Sequence, residues 1–239
     1  MSISPMAERL RQRYFGNDKH PYRIFEEQVE SLLTPRATLL DVGCGRTAPV
    51  LRKFAGRAGR LVGIDVIEFE NTPGDLELHR GDAANINLPS GSVDVIMARS
   101  VMEHLTDPVG AFREMHRVLA PGGSLVFLTA NLWDYASIIA RIVPNSWHPK
   151  IVQHVEGRAP EDVFPIAYRC NTRRAIRRLA ATTGFEISRF DYLGQYPGYF
   201  MFNGPLFLLA TGYEKLLQRV PALSFLRGWI LAVLVRKAT

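Results

Sequence analysis

The sequence predicts an α/β fold, a mostly parallel sheet whose strands are joined by helices, with a cap added beyond it. Three observations carry that reading. Between residues 37 and 131, short β-branched and apolar runs alternate with segments of helical period, the pattern of a parallel sheet with crossover connections. Each run is closed by glycine, aspartate or proline, the residues that punctuate strand ends. The 239 residues are 47% apolar and 22% charged, which suits a large packed domain and excludes a disordered chain.

Taken in order, residues 1–34 form a helical lead-in, where His20-Pro21 opens an amphipathic segment with Ile24, Phe25, Val29 and Leu32 on one side. Strands are predicted at Ala37–Val42, Arg60–Val66, Glu77–Arg80, Ser92–Ala98 and Ser124–Ala130, within a core spanning 35–131. A helix is expected directly after the first strand. Another follows Asp107-Pro108, a cap and a first-turn proline, with Val109, Phe112, Met115 and Leu119 at helical spacing and Pro121-Gly122-Gly123 as its stop. Residues 132–171 lose the alternation and read as a cap or substrate loop. In 172–239, Asn171-Thr172 caps a helix over Arg173–Thr182, Gly184 ends it, and Phe185–Tyr192 is a strand. Gly204–Val220 is predicted helical within an apolar insert, 194–227, and Ile230–Val235 is the last buried strand.

Charge is divided unevenly. Residues 1–140 hold 15 basic and 17 acidic side chains, a net of −2, whereas 141–239 hold 14 and 6, a net of +8. The basic part shows neither the aromatic platform of a single-strand binder nor a recognition-helix module, so nucleic acid is not an expected partner. Two cysteines, Cys44 and Cys170, make neither a disulfide framework nor a metal site by spacing, and no metal is expected. The first residues lack the apolar core of a signal peptide, which points to a reducing, cytoplasmic setting. The longest charge-free stretch, Tyr192 to Tyr213, is broken by two prolines and four glycines, so it reads as interfacial rather than spanning.

The chemistry concentrates at Asp41-Val42-Gly43-Cys44-Gly45, where the first strand ends. Two glycines let the backbone turn sharply and approach a ligand. Asp65 closes the second strand 24 residues after Asp41, where a carboxylate can accept both hydroxyls of a ribose. Gly81-Asp82-Ala83 closes the third strand at the same edge. The spacing Gly43-x-Gly45-x-x-Ala48 also satisfies a dinucleotide fingerprint, which keeps a nicotinamide-dependent reductase as an alternative. Against it, Asp41 places a carboxylate close to where a pyrophosphate would sit.

These motifs, with Ser100-Val101-Met102-Glu103-His104-Leu105 and Leu119-Ala120-Pro121-Gly122-Gly123, resemble in kind and order those of class I S-adenosylmethionine-dependent methyltransferases. The resemblance covers roughly 35–131. It implies a Rossmann-like sheet of seven strands with helices on both faces and S-adenosylmethionine as cofactor. Asp41, Gly43, Cys44 and Gly45 would hold its methionine part, and Asp65 with Val66 the ribose side. Asp82 and Ala83 would meet the adenine, and Arg99-Ser100 would lie beside the sulfonium. The chain departs from many members in continuing the loop with Arg46-Thr47-Ala48. That departure keeps a catalytically silent cofactor-binding or scaffold protein as a second alternative.

A methyl acceptor follows from the cofactor. A small hydroxyl-bearing metabolite, or one linked to a glycan or lipid, is expected, with His104 either as the base near the cofactor edge or as a histidine satisfying local backbone near the Asp107 cap. His148, His154 and Tyr168 are candidates on the substrate side, surface placement being the other reading of the two histidines. The arginine rows of Arg173-Arg174-Ala175-Ile176-Arg177-Arg178 offer either an anion grip or a solvated basic face. Tyr192 to Leu208, rich in aromatics and followed by Lys215, Arg219 and Arg227, suits peripheral contact with an anionic membrane, the inner face in a cytoplasmic protein. It equally suits a pocket lid or ordinary core.

Overall fold

The computed structural model describes residues 3–70, 74–142 and 165–238, with side chains from 140 to 142 excepted. Most of the predicted cap, His148 and His154 included, lies outside the described residues. The chain divides into two compact units. One comprises Tyr22–Thr129, Ala167–Asp191 and Ile230–Thr239; the other comprises Met1–Pro21, Ala130–Ile166 and Tyr192–Trp229.

The first unit is built on a sheet of β1 (Thr38–Val42), β2 (Arg60–Asp65), β3 (Glu77–Arg80), β4 (Val93–Arg99), β5 (Leu119–Ala130), β6 (Phe185–Leu193) and β7 (Trp229–Arg236). Their order is β3-β2-β1-β4-β5-β7-β6, and four of the six neighbouring pairs, β2–β3, β1–β2, β1–β4 and β4–β5, are parallel. Central strands of such a sheet are covered on both faces and need continuous apolar runs. Leu39, Leu40 and Ile96 are accordingly fully buried.

The predicted strands and the observed ones differ by about one residue at most ends. The exception is β5, which begins at Leu119 rather than Ser124. Leu119 pairs with Val93, and the register then shifts so that Ser124 faces Val95. Gly122, at φ +81°, accommodates the extra residues.

Helix α2 (Pro21–Glu30) precedes the sheet, α3 (Pro108–Val118) connects β4 to β5, and α5 (Arg173–Thr183) precedes β6. Helix α3 buries Ala111, Phe112, Met115 and Val118, each large apolar side chain contributing about 1.5–3 kcal/mol. The helix expected directly after β1 is absent. A single 3-10 turn, Leu51–Phe54, stands in its place, because Pro49 and the left-handed Gly56, at φ +74°, leave only one turn of chain between them. Arg173, Arg174, Arg177 and Arg178 are all exposed, and the Arg173 guanidinium lies 5.3 Å from the Phe190 ring centroid.

In the second unit, α1 (Pro5–Phe15) packs on α6 (Gly204–Arg219) around Ala7, Phe15 and Phe207. A Cβ at Gly204 would sit 2.6 Å from Met6 Sδ, so glycine is what permits that approach. The same unit contains α4 (Tyr135–Ile142), a helix that the sequence reading passed over. Two turns are too short to stand out by period alone. Among the described residues, no helix is long and apolar enough to cross a membrane.

The N-cap of α5 gives a direct stability test. Thr172 Oγ1 accepts the Ala175 N–H at 3.1 Å, so Thr172→Ala should lower unfolding free energy by about 1 kcal/mol. The urea midpoint should fall with its slope unchanged.

Candidate functional site

The chain runs outward from β1 through β2 to β3 and then returns to β4 on the other side of β1. That reversal opens a crevice at the carboxyl ends of β1 and β4, where ligands bind in open parallel sheets. Asp41 and Arg99 sit at those two ends.

The loop leaving β1 is held by β2. The N–H groups of Gly43 and Cys44 both donate to Ile64 O, at 2.8 and 3.2 Å. Gly45 N–H donates to Asp65 Oδ2 at 2.7 Å, and Ile67 N–H to Asp65 Oδ1 at 3.3 Å. Three successive loop amides are therefore committed inside the protein. A dinucleotide pyrophosphate needs such amides free, so this loop is poorly equipped for the reductase alternative. Gly43 and Gly45 take φ of +74° and +76°, open to glycine at no steric cost. A Cβ at Gly43 would meet Val101 Cγ2 at 2.3 Å, whereas one at Gly45 would meet nothing within 4 Å. Gly45 thus presents bare backbone on an open side.

Cys44 plays a different part from the one expected. It is 3% exposed, its sulfur lies 2.8 Å from where a Gly63 Cβ would be, and burial pushes its thiol well up. Its side chain is packing, and any ligand contact falls to its backbone. Asp65 keeps a lone pair on each oxygen beside its loop bonds, enough to accept two hydroxyls. The neighbouring Val66 is 44% exposed, an apolar surface available for a flat ring. Gly81 N–H donates to Asp65 O at 2.9 Å, which brings Asp82 and Ala83 to the same edge. Asp82 Oδ1 is occupied by the Ala84 N–H at 2.7 Å.

Asp41 is 3% exposed, and its Oδ2 has no hydrogen-bond partner. Burial pushes its carboxyl up to about 7; the Arg99 guanidinium opposes that shift and the Asp65 carboxylate adds to it. Ser100, at φ +58°, carries a buried Oγ that also has no partner. A buried acceptor without a donor is costly, and a cationic donor such as an ammonium would suit it. Arg99 is held on its other side by α2: Nη1 lies 3.4 Å from Glu26 Oε1 and the guanidinium 4.3 Å from the Tyr22 ring centroid.

Beyond β4, a 3-10 turn, Met102–His104, places the half-buried His104 close along the chain to Ser100. Glu103 anchors this turn. Its Oε2 accepts from Thr129 at 2.7 Å, Thr129 Oγ1 accepts from Asn171 at 2.7 Å, and its carbonyl accepts the N–H groups of Ala167 and Tyr168. Tyr168 is thereby brought to the turn that carries His104. Of the expected site residues, all but His148 and His154 are described, and these all fall in the unit that holds the sheet. Tyr22, Glu26, Thr129 and Asn171 were not foreseen. Glu26 had one visible signal, an acid one position after Phe25 and four after Tyr22 on an apolar helix face.

A buried acid, a clamped glycine loop, Asp65 at the end of β2 and Asp82 two residues beyond β3 thus stand together at the switch point of a doubly wound sheet, the place where such folds bind ligands. The profile of the Methyltransferase domain family matches residues 40–127. The demethylmenaquinone methyltransferase of Desulfitobacterium hafniense is 32% identical over 205 residues, covering 75% of this chain and 77% of the relative. A 37.1 kDa protein in transposon TN4556 of Streptomyces fradiae is 36% identical over 115 residues, covering 44% of this chain and 33% of the relative. The chain spans 33% of the length of that relative and 49% of that of the demethylmenaquinone methyltransferase of Staphylococcus epidermidis. An S-adenosylmethionine-dependent methyltransferase structure from Mesorhizobium loti has the same fold, with a TM-score of 0.55 at 16% identity over 88% of this chain and 96% of that one. The chain belongs to the class I S-adenosylmethionine-dependent methyltransferase family.

Asp41 makes a pH test available. Its carboxyl holds a proton below about 7 and is charged above it, so an ammonium-bearing ligand meets a charged partner only on the alkaline side. Calorimetric affinity for S-adenosylhomocysteine should rise by roughly ten-fold from pH 6 to pH 8, and Asp41→Asn should flatten that rise.

Proposed function

We propose that the protein binds S-adenosylmethionine in the β1–β4 crevice and transfers its methyl group to a small-molecule acceptor, a hydroxyl on a metabolite or on a glycan- or lipid-linked substrate. The observation that carries the cofactor half is the unpartnered, buried Asp41 Oδ2 beside the open Gly45. Asp41 would take the ammonium, Gly43, Gly45 and the Cys44 backbone would pass along the methionine part, and Asp65 would accept the ribose hydroxyls. Val66, Asp82 and Ala83 would receive the adenine, and Arg99-Ser100 would border the sulfonium.

S-adenosylmethionine supplies an already activated methyl when bound. What remains for the chain is to align the acceptor and exclude water, a positioning task worth up to roughly 7–11 kcal/mol. A hydroxyl acceptor must also lose its proton, and His104 is the side chain proposed to take it, a contribution of roughly 10²–10⁴-fold. Tyr168 is proposed for the acceptor side, held near by its N–H bond to Glu103 O at 3.1 Å.

The silent-scaffold alternative rested on Arg46-Thr47-Ala48. Ala48 is buried and takes φ +45°, the left-handed conformation that glycine adopts more readily. The loop thus keeps a glycine-like path through an alanine, which supports competence.

Lipid-linked acceptors and peripheral contact with an anionic inner membrane face are supported by the second unit. Leu206, Leu208, Leu209 and Leu216 on α6 are each at least 42% exposed, and Arg219 is exposed with them. Arg227 drops out of that basic set: its guanidinium donates to Leu217 O at 2.9 Å and to Tyr192 O at 3.2 Å. The relative from Desulfitobacterium hafniense is named for demethylmenaquinone.

Titration calorimetry with S-adenosylmethionine should show binding that falls sharply in Asp65→Ala, and absence of binding to the intact protein would sink the proposal. Release of S-adenosylhomocysteine with an acceptor from a broad panel of hydroxyl compounds would separate turnover from silent binding. Flotation with anionic but not neutral vesicles, reduced by Leu209→Glu, is expected; no preference for anionic vesicles removes the membrane part.

A further inference from the structure

We infer that Glu26 and Tyr22 on α2 set the charge selectivity of the crevice by neutralising and holding Arg99, so that the site accepts a ligand bearing net positive charge. The inference rests on the cofactor reading above and deepens it.

Arg99 ends β4 with its side chain 23% exposed. It lies close enough to Asp41 to act on that carboxylate electrically, so its charge competes with any cationic group drawn to Asp41. Left alone, a partly buried guanidinium at the mouth of this crevice would repel a sulfonium. Two features of α2 oppose that. The Glu26 carboxylate, 10% exposed, lies 3.4 Å from Arg99 Nη1, and the Tyr22 ring, one helical turn earlier, takes the guanidinium face at 4.3 Å. Glu26 Oε1 also accepts Lys53 Nζ at 2.6 Å, but Lys53 is 54% exposed and largely solvated. Of the two cations on Glu26, Arg99 is the more buried, 23% exposed against 54%, so its charge is the less screened by solvent and the one that the loss of Glu26 exposes to the crevice.

The cofactor and its demethylated product make a matched pair of probes. S-adenosylmethionine and S-adenosylhomocysteine share the adenosine and amino acid parts and differ by one methyl group and one positive charge. General damage to the site weakens both. Loss of the Glu26 charge should weaken only the cation by more, by roughly three- to ten-fold for charges several ångströms apart in a partly screened crevice.

The experiment is calorimetric titration of the intact protein with each ligand at one pH and ionic strength. Relative to wild type, Glu26→Gln should raise the ratio of the S-adenosylmethionine Kd to the S-adenosylhomocysteine Kd by that factor. The double variant Glu26→Gln/Arg99→Gln should bring the ratio back, because the uncompensated charge is gone. Equal weakening of both ligands, or a ratio that the second substitution leaves raised, would assign Glu26 a structural role and overturn the inference. A wild-type protein that binds neither ligand would remove the cofactor reading itself, and the inference with it.

Discussion

A single hydrogen bond, from the Gly45 amide to Asp65 Oδ2 at 2.7 Å, ties the end of β1 to the end of β2 and fixes the shape of everything at that edge. With the Gly43 and Cys44 amides on Ile64 O, it commits three loop donors to the protein interior. What the loop offers outward is bare glycine backbone rather than N–H groups. That distinction separates a loop suited to the chain of an amino acid from one suited to a pyrophosphate. Asp65 can therefore serve twice, shaping the loop with one lone pair of each oxygen and receiving hydroxyls with the other.

The electrostatics of the crevice follow from where the chain places three charges. Burial, opposed by Arg99 and aided by the Asp65 carboxylate, pushes the Asp41 carboxyl up to about 7. Arg99 is the compensating cation, yet α2 holds it with Glu26 and Tyr22. An acid with an unpartnered oxygen and a cation already engaged make a site biased toward a positively charged group. The excess of +8 lies in residues 141–239, after the glycine loop and both flanking carboxylates in the chain.

The strands were legible because each is a short β-branched run closed by glycine or aspartate, and parallel strands covered on both faces must look that way. The caps of α3 and α5 were legible for the same local reason. The crossover after β1 misled: a helix belongs there by pattern, but Pro49 and Gly56 cut it to one turn. Asp41, Asp65 and the glycines could be read as ligand contacts, but not the Asp65 clamp, since 20 residues separate its partners. The pairing that makes Tyr22 and Glu26 site residues was hidden for a stronger reason. Glu26 meets Arg99 across 73 residues, and no local period records such a pairing. The Glu103–Thr129–Asn171 chain is hidden in the same way, over 26 and 42 residues.

These placements converge on one claim, that the crevice between β1 and β4 is shaped for S-adenosylmethionine. The most direct measurement is a crystal structure of the protein grown with S-adenosylhomocysteine. The ligand's ammonium should lie within hydrogen-bond distance of Asp41, its ribose hydroxyls on Asp65, and its adenine against Val66 and Asp82. A ligand bound elsewhere, or one in the crevice with its ribose away from Asp65, would contradict the account.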